Sequence, residues 1–277
     1  MAYKIAADSS CDFYTMDGVD FASAALSIIT DERQFRDDPN LDLDEMLDYL
    51  ASYKGRSGTS CPNVGDWLEA FGDAEGVFAI TITSSLSGSY NAAMQAKAEY
   101  ESAHPGRKVC CLDSLSTGPE LTLIAEKLRT MIRSGLDFDE IEAGIRQYMR
   151  HTHLIFVLRN LTNMARNGRV SPIVASAVGL LGIRILGIAS DEGTLQSLRK
   201  CRGEQSALLA LMEAIKKRGF KGGSVRIAHC RNAKGAVAVA DLIRKEYPSC
   251  DIRVTGMAGL DSFYAEPGSI MVGYEDL

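Results

Sequence analysis

The chain has 277 residues, 30 Lys and Arg against 36 Asp and Glu, a formal charge of −6, and 46% hydrophobic residues. That is one large or two modest domains of an ordinary globular protein, with enough chain to bury a core unaided by metal or disulfides. Disorder, collagen-like repeats and a nucleic-acid-binding role are excluded, the last because a mildly acidic chain without a basic run has no footprint for neutralising phosphates.

The N-terminus MAYKIAADSS lacks the apolar core of a secretory signal and runs directly into a strand-like segment over 3–7. Helix-period segments follow at 43–53 and 64–71, then an apolar strand at 77–83, giving βαβα order and a mainly parallel sheet. Ser84-Ser85-Leu86-Ser87-Gly88-Ser89 reads as a tight strand-to-helix turn before an Ala-rich helix over 90–100. A strand at 109–112, a loop DSLSTGPE, and helices at 121–134 and 139–149 complete the first half.

From His153 the order changes. A strand at 154–158 precedes short helices at 161–168 and 172–181, and a hairpin turns at Asp191-Glu192-Gly193 between 183–188 and 194–198. Helices at 204–218 and 234–246 then alternate with strands at 224–229, 251–256 and 269–274. The expectation is an α/β fold with a three-layer α/β/α domain over 1–150 and a second α/β domain over 151–277, its mixed sheet packed by helices on one side. The most apolar stretch, 173–188, holds three glycines and Arg184; it is too short and too polar to span a bilayer and reads as core.

The seven cysteines (Cys11, Cys61, Cys110, Cys111, Cys201, Cys230, Cys250) are scattered and form no C-x-x-C pair, as expected of reduced thiols in the cytoplasm. His151-x-His153 has no nearby ligand at metal spacing, so no metal is expected. His229 and Cys230 are adjacent strand residues facing opposite sides, which argues against a nucleophile and base pair. No phosphate loop, dinucleotide fingerprint, nucleophile elbow or zinc-protease motif occurs.

Four hydroxyl-rich clusters lie at the ends of expected strands: Asp8-Ser9-Ser10, Thr59-Ser60-Cys61-Pro62, 84–89, and 113–118. Such residues cap helices. Grouped at the carboxyl ends of parallel strands, they also form an anion site from uncharged donors. Arg169, Arg184, Arg199, Lys200 and Arg202 mark a modest basic face in the second half.

These clusters resemble the motifs of the DegV family of bacterial fatty-acid-binding proteins. Asp8-Ser9-Ser10-Cys11-Asp12 is similar to its D-S-S-x-D, Phe35-Arg36-Asp37 to its [YF]-R-D, and Thr59-Ser60-Cys61-Pro62 to its T-S-Q-P. Ser84 to Tyr90 resembles S-S-x-L-S-G-T-Y, Asn167-Gly168-Arg169-Val170-Ser171 resembles G-G-R-I-S, Leu181 to Arg184 resembles L-N-I-K, and Lys200-Cys201-Arg202-Gly203 resembles K-x-R-G.

The resemblance covers nearly the whole chain. It implies a long-chain fatty acid held between two domains and presented to a separate kinase that forms acyl phosphate, without catalysis by this chain and with no cofactor beyond the bound lipid. By position it implies a head-group site at Thr59, Ser60, Ser87 and Gly88, and a kinase or membrane-contacting surface at Arg169 and Arg202. The family's H-x-G-P-G stands here as Tyr264-Ala265-Glu266-Pro267-Gly268. Tyr264 is therefore expected to donate to the carboxylate in place of histidine, and Glu266 to point to solvent. Two other readings compete: a phosphoryl-transfer or hydrolytic enzyme using Asp8 or Ser87 in the same pocket, and an interaction module working through Arg169 and Arg202.

Overall fold

The computed structural model describes residues 3–170 and 182–277. The helix expected over 172–181 lies outside the described residues. Strands β1 (Tyr3–Asp8), β2 (Asp20–Ala24), β6 (Gly76–Thr81) and β7 (Lys108–Asp113) form a parallel sheet in the order β2-β1-β6-β7. Every residue of β6 is buried because successive side chains enter opposite layers. Val77 and Ala79 meet Trp67, Phe71 and Ala96 of α2 (Val64–Phe71) and α3 (Ser89–Ala103). Phe78 and Ile80 meet Leu121, Ile124, Ile141 and Ile145 of α4 (Pro119–Arg133) and α5 (Phe138–Tyr148). This is the expected α/β/α sandwich.

The second sheet holds β8 (Thr152–Leu158), β9 (Ile183–Ala189), β10 (Leu195–Arg202), β11 (Ser224–Cys230), β12 (Asp251–Gly256) and β13 (Ser269–Glu275), in the order β10-β9-β8-β13-β11-β12. Among the described residues of this sheet, β11 and β12 alone pair in parallel. Helices α7 (Glu204–Lys217) and α8 (Ala233–Glu246) cover one face, where Leu211, Ile215, Val239 and Ile243 pack on Ile155, Val157, Ile227 and Val272.

Helices lie on both sides of this sheet, not on one. The opposite face meets α4 and a short helix α9 (Gly259–Ala265). Thr152 Oγ1 donates to Glu120 Oε1 of α4 at 2.8 Å, and Arg226 Nη2 lies 2.6 Å from Glu126 Oε2. The two halves are thus joined by buried polar pairs as well as by apolar packing.

Between them sits a small antiparallel sheet, β4-β3-β5, of β3 (Ser27–Thr30), β4 (Gln34–Arg36) and β5 (Ser57–Ser60), backed by α1 (Leu43–Ser52). Neither this sheet nor α9 was expected, and both matter for the site. Among the described residues no helix is long and apolar enough to cross a membrane.

Candidate functional site

A cavity of about 300 Å³ lies where the three sheets converge. Its apolar wall follows from strand periodicity: Leu154, Phe156 and Leu158 of β8 point into it, while Ile155 and Val157 face the α7–α8 layer. Leu26, Ile82 and Met271 extend that surface, and Leu260 and Ala265 of α9 close it.

The polar residues of the lining come from loops that the fold draws together. Thr59 sits on β5 opposite Ile28 and is followed by Ser60 and Cys61, after which Asn63 opens α2 with a capping box. Loop 82–88, between β6 and α3, is fixed from below by Asp8. Asp8 Oδ2 accepts the Ile82 N–H at 2.9 Å and the Ser89 hydroxyl at 2.6 Å, while Oδ1 accepts the Ser10 hydroxyl at 2.5 Å. Burial lifts Asp8 to about 6, partly opposed by these hydrogen bonds.

The loop so held places Ser87 and Gly88 on the same cavity as Thr59 and Ser60. Tyr264 arrives from α9, its hydroxyl 2.8 Å from Thr59 Oγ1. Burial raises the Tyr264 phenol above its usual range, so it remains a neutral hydrogen-bonding group near pH 7.

The tip of the β9–β10 hairpin closes another side. Thr83 Oγ1 donates to the Gly193 carbonyl at 2.9 Å and Ser85 Oγ to the Glu192 carbonyl at 2.5 Å, which brings Gly193, Thr194 and Leu195 onto the cavity. Gly193 has φ +73°, and a Cβ there would stand 2.1 Å from Thr83 Oγ1. Only glycine meets both conditions.

All five residues expected at a head-group site line this one cavity. Arg169 lines it as well, where an outward surface had been expected. Its guanidinium lies 5.9 Å from the Tyr264 ring centroid, within cation–π range, and Nη1 donates to the Asn167 carbonyl at 2.5 Å. Arg202 is exposed at the end of β10. The rest of the basic face is partly consumed: Arg184 Nη2 stands 3.6 Å from Glu204 and Arg199 Nη1 3.1 Å from Glu213.

Glu266 does not point to solvent. The chain leaves α9 with φ +60° at this residue and turns back over α6 (Thr162–Arg166). There Glu266 Oε1 accepts the Asn163 N–H at 3.0 Å and Oε2 the Asn160 side-chain amide at 2.7 Å. The unpaired N–H groups of a helix start draw the carboxylate in, away from the cavity lining.

Other candidate chemistry is absorbed by structure. Asp8 is completely buried with both oxygens engaged and is not in the lining, while Ser87 Oγ accepts the Ser89 N–H at 3.3 Å. His151 and His153 both bond the Asp276 carboxylate, at 3.0 and 2.9 Å. Cys230 Sγ approaches the Ser262 carbonyl at 3.8 Å, whereas His229 Nδ1 accepts the Asn232 N–H at 3.4 Å. No metal-ligating cluster occurs among the described residues.

Leu115, Ser116 and Thr117 of the hydroxyl cluster at 113–118 also reach the lining, whereas Thr83, Asp261 and the 193–195 tip were not expected there. Of the three that were not expected, only the hairpin tip left a signal, in Asp191-Glu192-Gly193.

Comparison with known proteins gives one answer throughout. A family model described as "Uncharacterised protein, DegV family" matches residues 2–276. A DegV domain-containing protein of Streptococcus pneumoniae is 39% identical over 279 residues, covering 99% of both chains. The crystal structure of a DegV family protein from Eubacterium eligens loaded with heptadecanoic acid is 44% identical, with a TM-score of 0.98 over 100% of both chains. That of the fatty acid kinase B3 protein of Streptococcus pneumoniae loaded with linoleic acid is 39% identical, again with a TM-score of 0.98 and 100% coverage of both.

Proposed function

The chain belongs to the DegV family, and from that membership and the chemistry of the cavity we propose that it binds a long-chain fatty acid and presents it, unaltered, to a separate kinase for acyl phosphate formation. One observation carries the reading: a cavity apolar along β8 and α9 whose lining also includes the hydroxyls of Thr59, Ser60, Ser87 and Tyr264. Relatives covering the entire chain hold heptadecanoic and linoleic acid.

In this reading residues 151–277 cover the acyl chain and residues 1–150 supply most of the head-group site. Burying about fifteen methylenes at roughly 0.8 kcal/mol each contributes on the order of 12 kcal/mol. Desolvating the carboxylate opposes it. Hydroxyls of Thr59, Ser60 and Ser87, the phenol of Tyr264 and the N–H groups near Gly88 offset that cost through charge-assisted hydrogen bonds, and the start of α3 adds roughly 0.3–1 kcal/mol. Arg169 beside Tyr264 strengthens the same field, and exposed Arg202 belongs to the surface offered to the kinase or to a membrane.

The Asp8 or Ser87 enzyme alternative has less to support it, since Asp8 is sealed below the loop and the described lining contains no histidine or lysine. Native mass spectrometry with organic extraction of the purified protein tests the proposal. Recovery of one fatty acid per chain is expected. Protein that is lipid-free and refuses added long-chain acids overturns it, and acyl phosphate formed from lipid and ATP by this chain alone overturns its non-catalytic part.

A further inference from the structure

Asp12 and Asp261 come from opposite halves of the chain and meet at the cavity wall, to which Asp261 contributes. Asp12 follows the 3-10 turn Ser9–Cys11 with φ +65°, which aims its Oδ1 at the Ala258 N–H, 2.7 Å away, just before α9. Asp261 lies on α9 and accepts the Thr117 hydroxyl on Oδ1 at 2.8 Å. Both Oδ2 atoms are buried and accept from no N–H or hydroxyl among the described residues. They border one point in space: a Cβ on Gly118 would stand 2.7 Å from Asp261 Oδ2 and 3.2 Å from Asp12 Oδ2. Two ionised carboxylates do not adjoin in a dry interior. A single proton held between them would leave neither oxygen unpaired, as a charge-assisted O–H···O⁻ bond.

We infer that Asp12 and Asp261 hold one proton in common and that this bond positions α9 as the movable wall of the lipid cavity. The inference rests on the fatty-acid reading only for its consequence. Helix α9 carries Leu260, Asp261, Tyr264 and Ala265 to the cavity, and its start has no side-chain cap of its own. It is held from the first half by Asp12 on Ala258 N and by Asp37, whose Oδ1 and Oδ2 accept the Gly259 and Leu260 N–H groups at 2.7 and 2.9 Å.

The titratable groups facing the pair are Asp8, Cys11, Tyr14, Asp37 and Cys230. Each is neutral or anionic, and the hydrogen-bond donors to Asp8, Asp12, Asp37 and Asp261 are N–H or hydroxyl groups. Burial, then the neighbouring carboxylate, drives Asp12 well above its ordinary range; burial lifts Asp261 to about 8. As a coupled pair the two release their protons in steps that belong to both. Loss of the common proton sets two anions against each other at the joint of α9 and loosens the wall. Cys11 is pushed well up and Cys230 to about 11, so neither accounts for a transition near pH 8.

The test is the dissociation rate of a fluorescent long-chain acid between about pH 6 and about 10, in a Cys61→Ser background that removes the thiol at the cavity. The rate is expected to climb at least tenfold across the alkaline limb. Asp12→Asn keeps an oxygen for Ala258 N and gives Asp261 an amide donor with no proton to lose. Its rate at pH 7 is expected within about twofold of the parent, with the alkaline limb flat. An unchanged limb in Asp12→Asn, or a flat one in the parent, overturns the inference. If Asp12→Asn fails to fold, the infrared titration of the parent decides alone. A lipid-free readout separates the two claims. Infrared spectroscopy of the parent at pH 7 is expected to show a buried protonated carboxyl that disappears on alkaline titration and is missing in the asparagine variant. Its absence from the parent overturns the pair, whereas its presence in protein that takes no lipid overturns the fatty-acid reading alone.

Discussion

The hydroxyl of Tyr264 stands 2.8 Å from Thr59 Oγ1 across 205 residues of sequence, joining the short helix of the second half to the small sheet of the first. Tyrosine occupies the place where the family pattern has histidine. It stays a neutral hydrogen-bonding group through the physiological range because burial raises its phenol.

Tyr264→Phe is therefore expected to remove one charge-assisted hydrogen bond from the bound carboxylate, about 1.5–3 kcal/mol. Fatty-acid affinity should fall roughly ten- to a hundredfold, with little change in the apo protein's unfolding midpoint. Titration calorimetry checks it, and wild-type affinity in Tyr264→Phe would remove the phenol from the head-group site. In a cycle with Thr59→Val the two losses should be less than additive, since the residues touch.

Ala189 lines the cavity from the end of β9 and is only partly buried. Ala189→Phe has room to enter the cavity without overpacking a closed core. A ring taking the space of two or three methylenes removes roughly 1.6–2.4 kcal/mol of acyl burial, about 15- to 60-fold in affinity for a long chain. Shorter acids should lose less. Equal losses for every chain length would place residue 189 outside the path of the acyl tail.

How far the sequence disclosed this architecture depended on whether the cause was local. The six strands of the second sheet, the hairpin at 191–193 and the four helices of the sandwich carry their own periodicity or caps, as with the capping boxes at Asn63 and Asp137. Hydroxyl clusters at strand ends likewise pointed to Thr59 and Ser87. Strand β5, with the sequence Ser-Gly-Thr-Ser, has no apolar alternation and exists because β3 pairs with it. Helix α9 is seven residues long, and its leading N–H groups are satisfied by Asp12 and Asp37, more than 220 residues upstream. No window on the chain sees that. Arg169 was legible as a functional residue but not as one facing inward, because its direction follows from α6 and Tyr264 and not from its neighbours in sequence.

Gly193→Ala tests the docking of the hairpin tip. The added methyl meets Thr83 Oγ1 at 2.1 Å on a backbone already at φ +73°, a strain of about 1–3 kcal/mol. The urea midpoint should drop without a change in slope. Lipid affinity should fall with it, since Gly193, Thr194 and Leu195 together form part of the lining. An unshifted midpoint would mean that the tip adapts freely and contributes no fixed wall.

The pH dependence of stability should carry the signature of Asp8. Burial lifts its carboxyl from the usual 3.8 to about 6, against the opposing bonds from Ser10, Ser89 and Ile82. Between those values the native state holds the proton that the unfolded chain has released, so stability declines as pH rises through this window. The contribution is fully present below about pH 4 and is gone above about pH 6, a change of about 3 kcal/mol. Asp8→Asn removes the titration. The unfolding free energy of the parent minus that of the variant should fall across the window and be level above it. A level difference throughout would show that Asp8 titrates alike in both states. The variant has a separate cost at pH 7: a single amide oxygen cannot accept all of the Ser10, Ile82 and Ser89 donors, and an unpaired buried N–H costs about 1–3 kcal/mol. Because those donors fix the two ends of loop 82–88, Asp8→Asn should weaken lipid binding without touching the ligand, with Ser87 and Gly88 no longer held opposite Thr59.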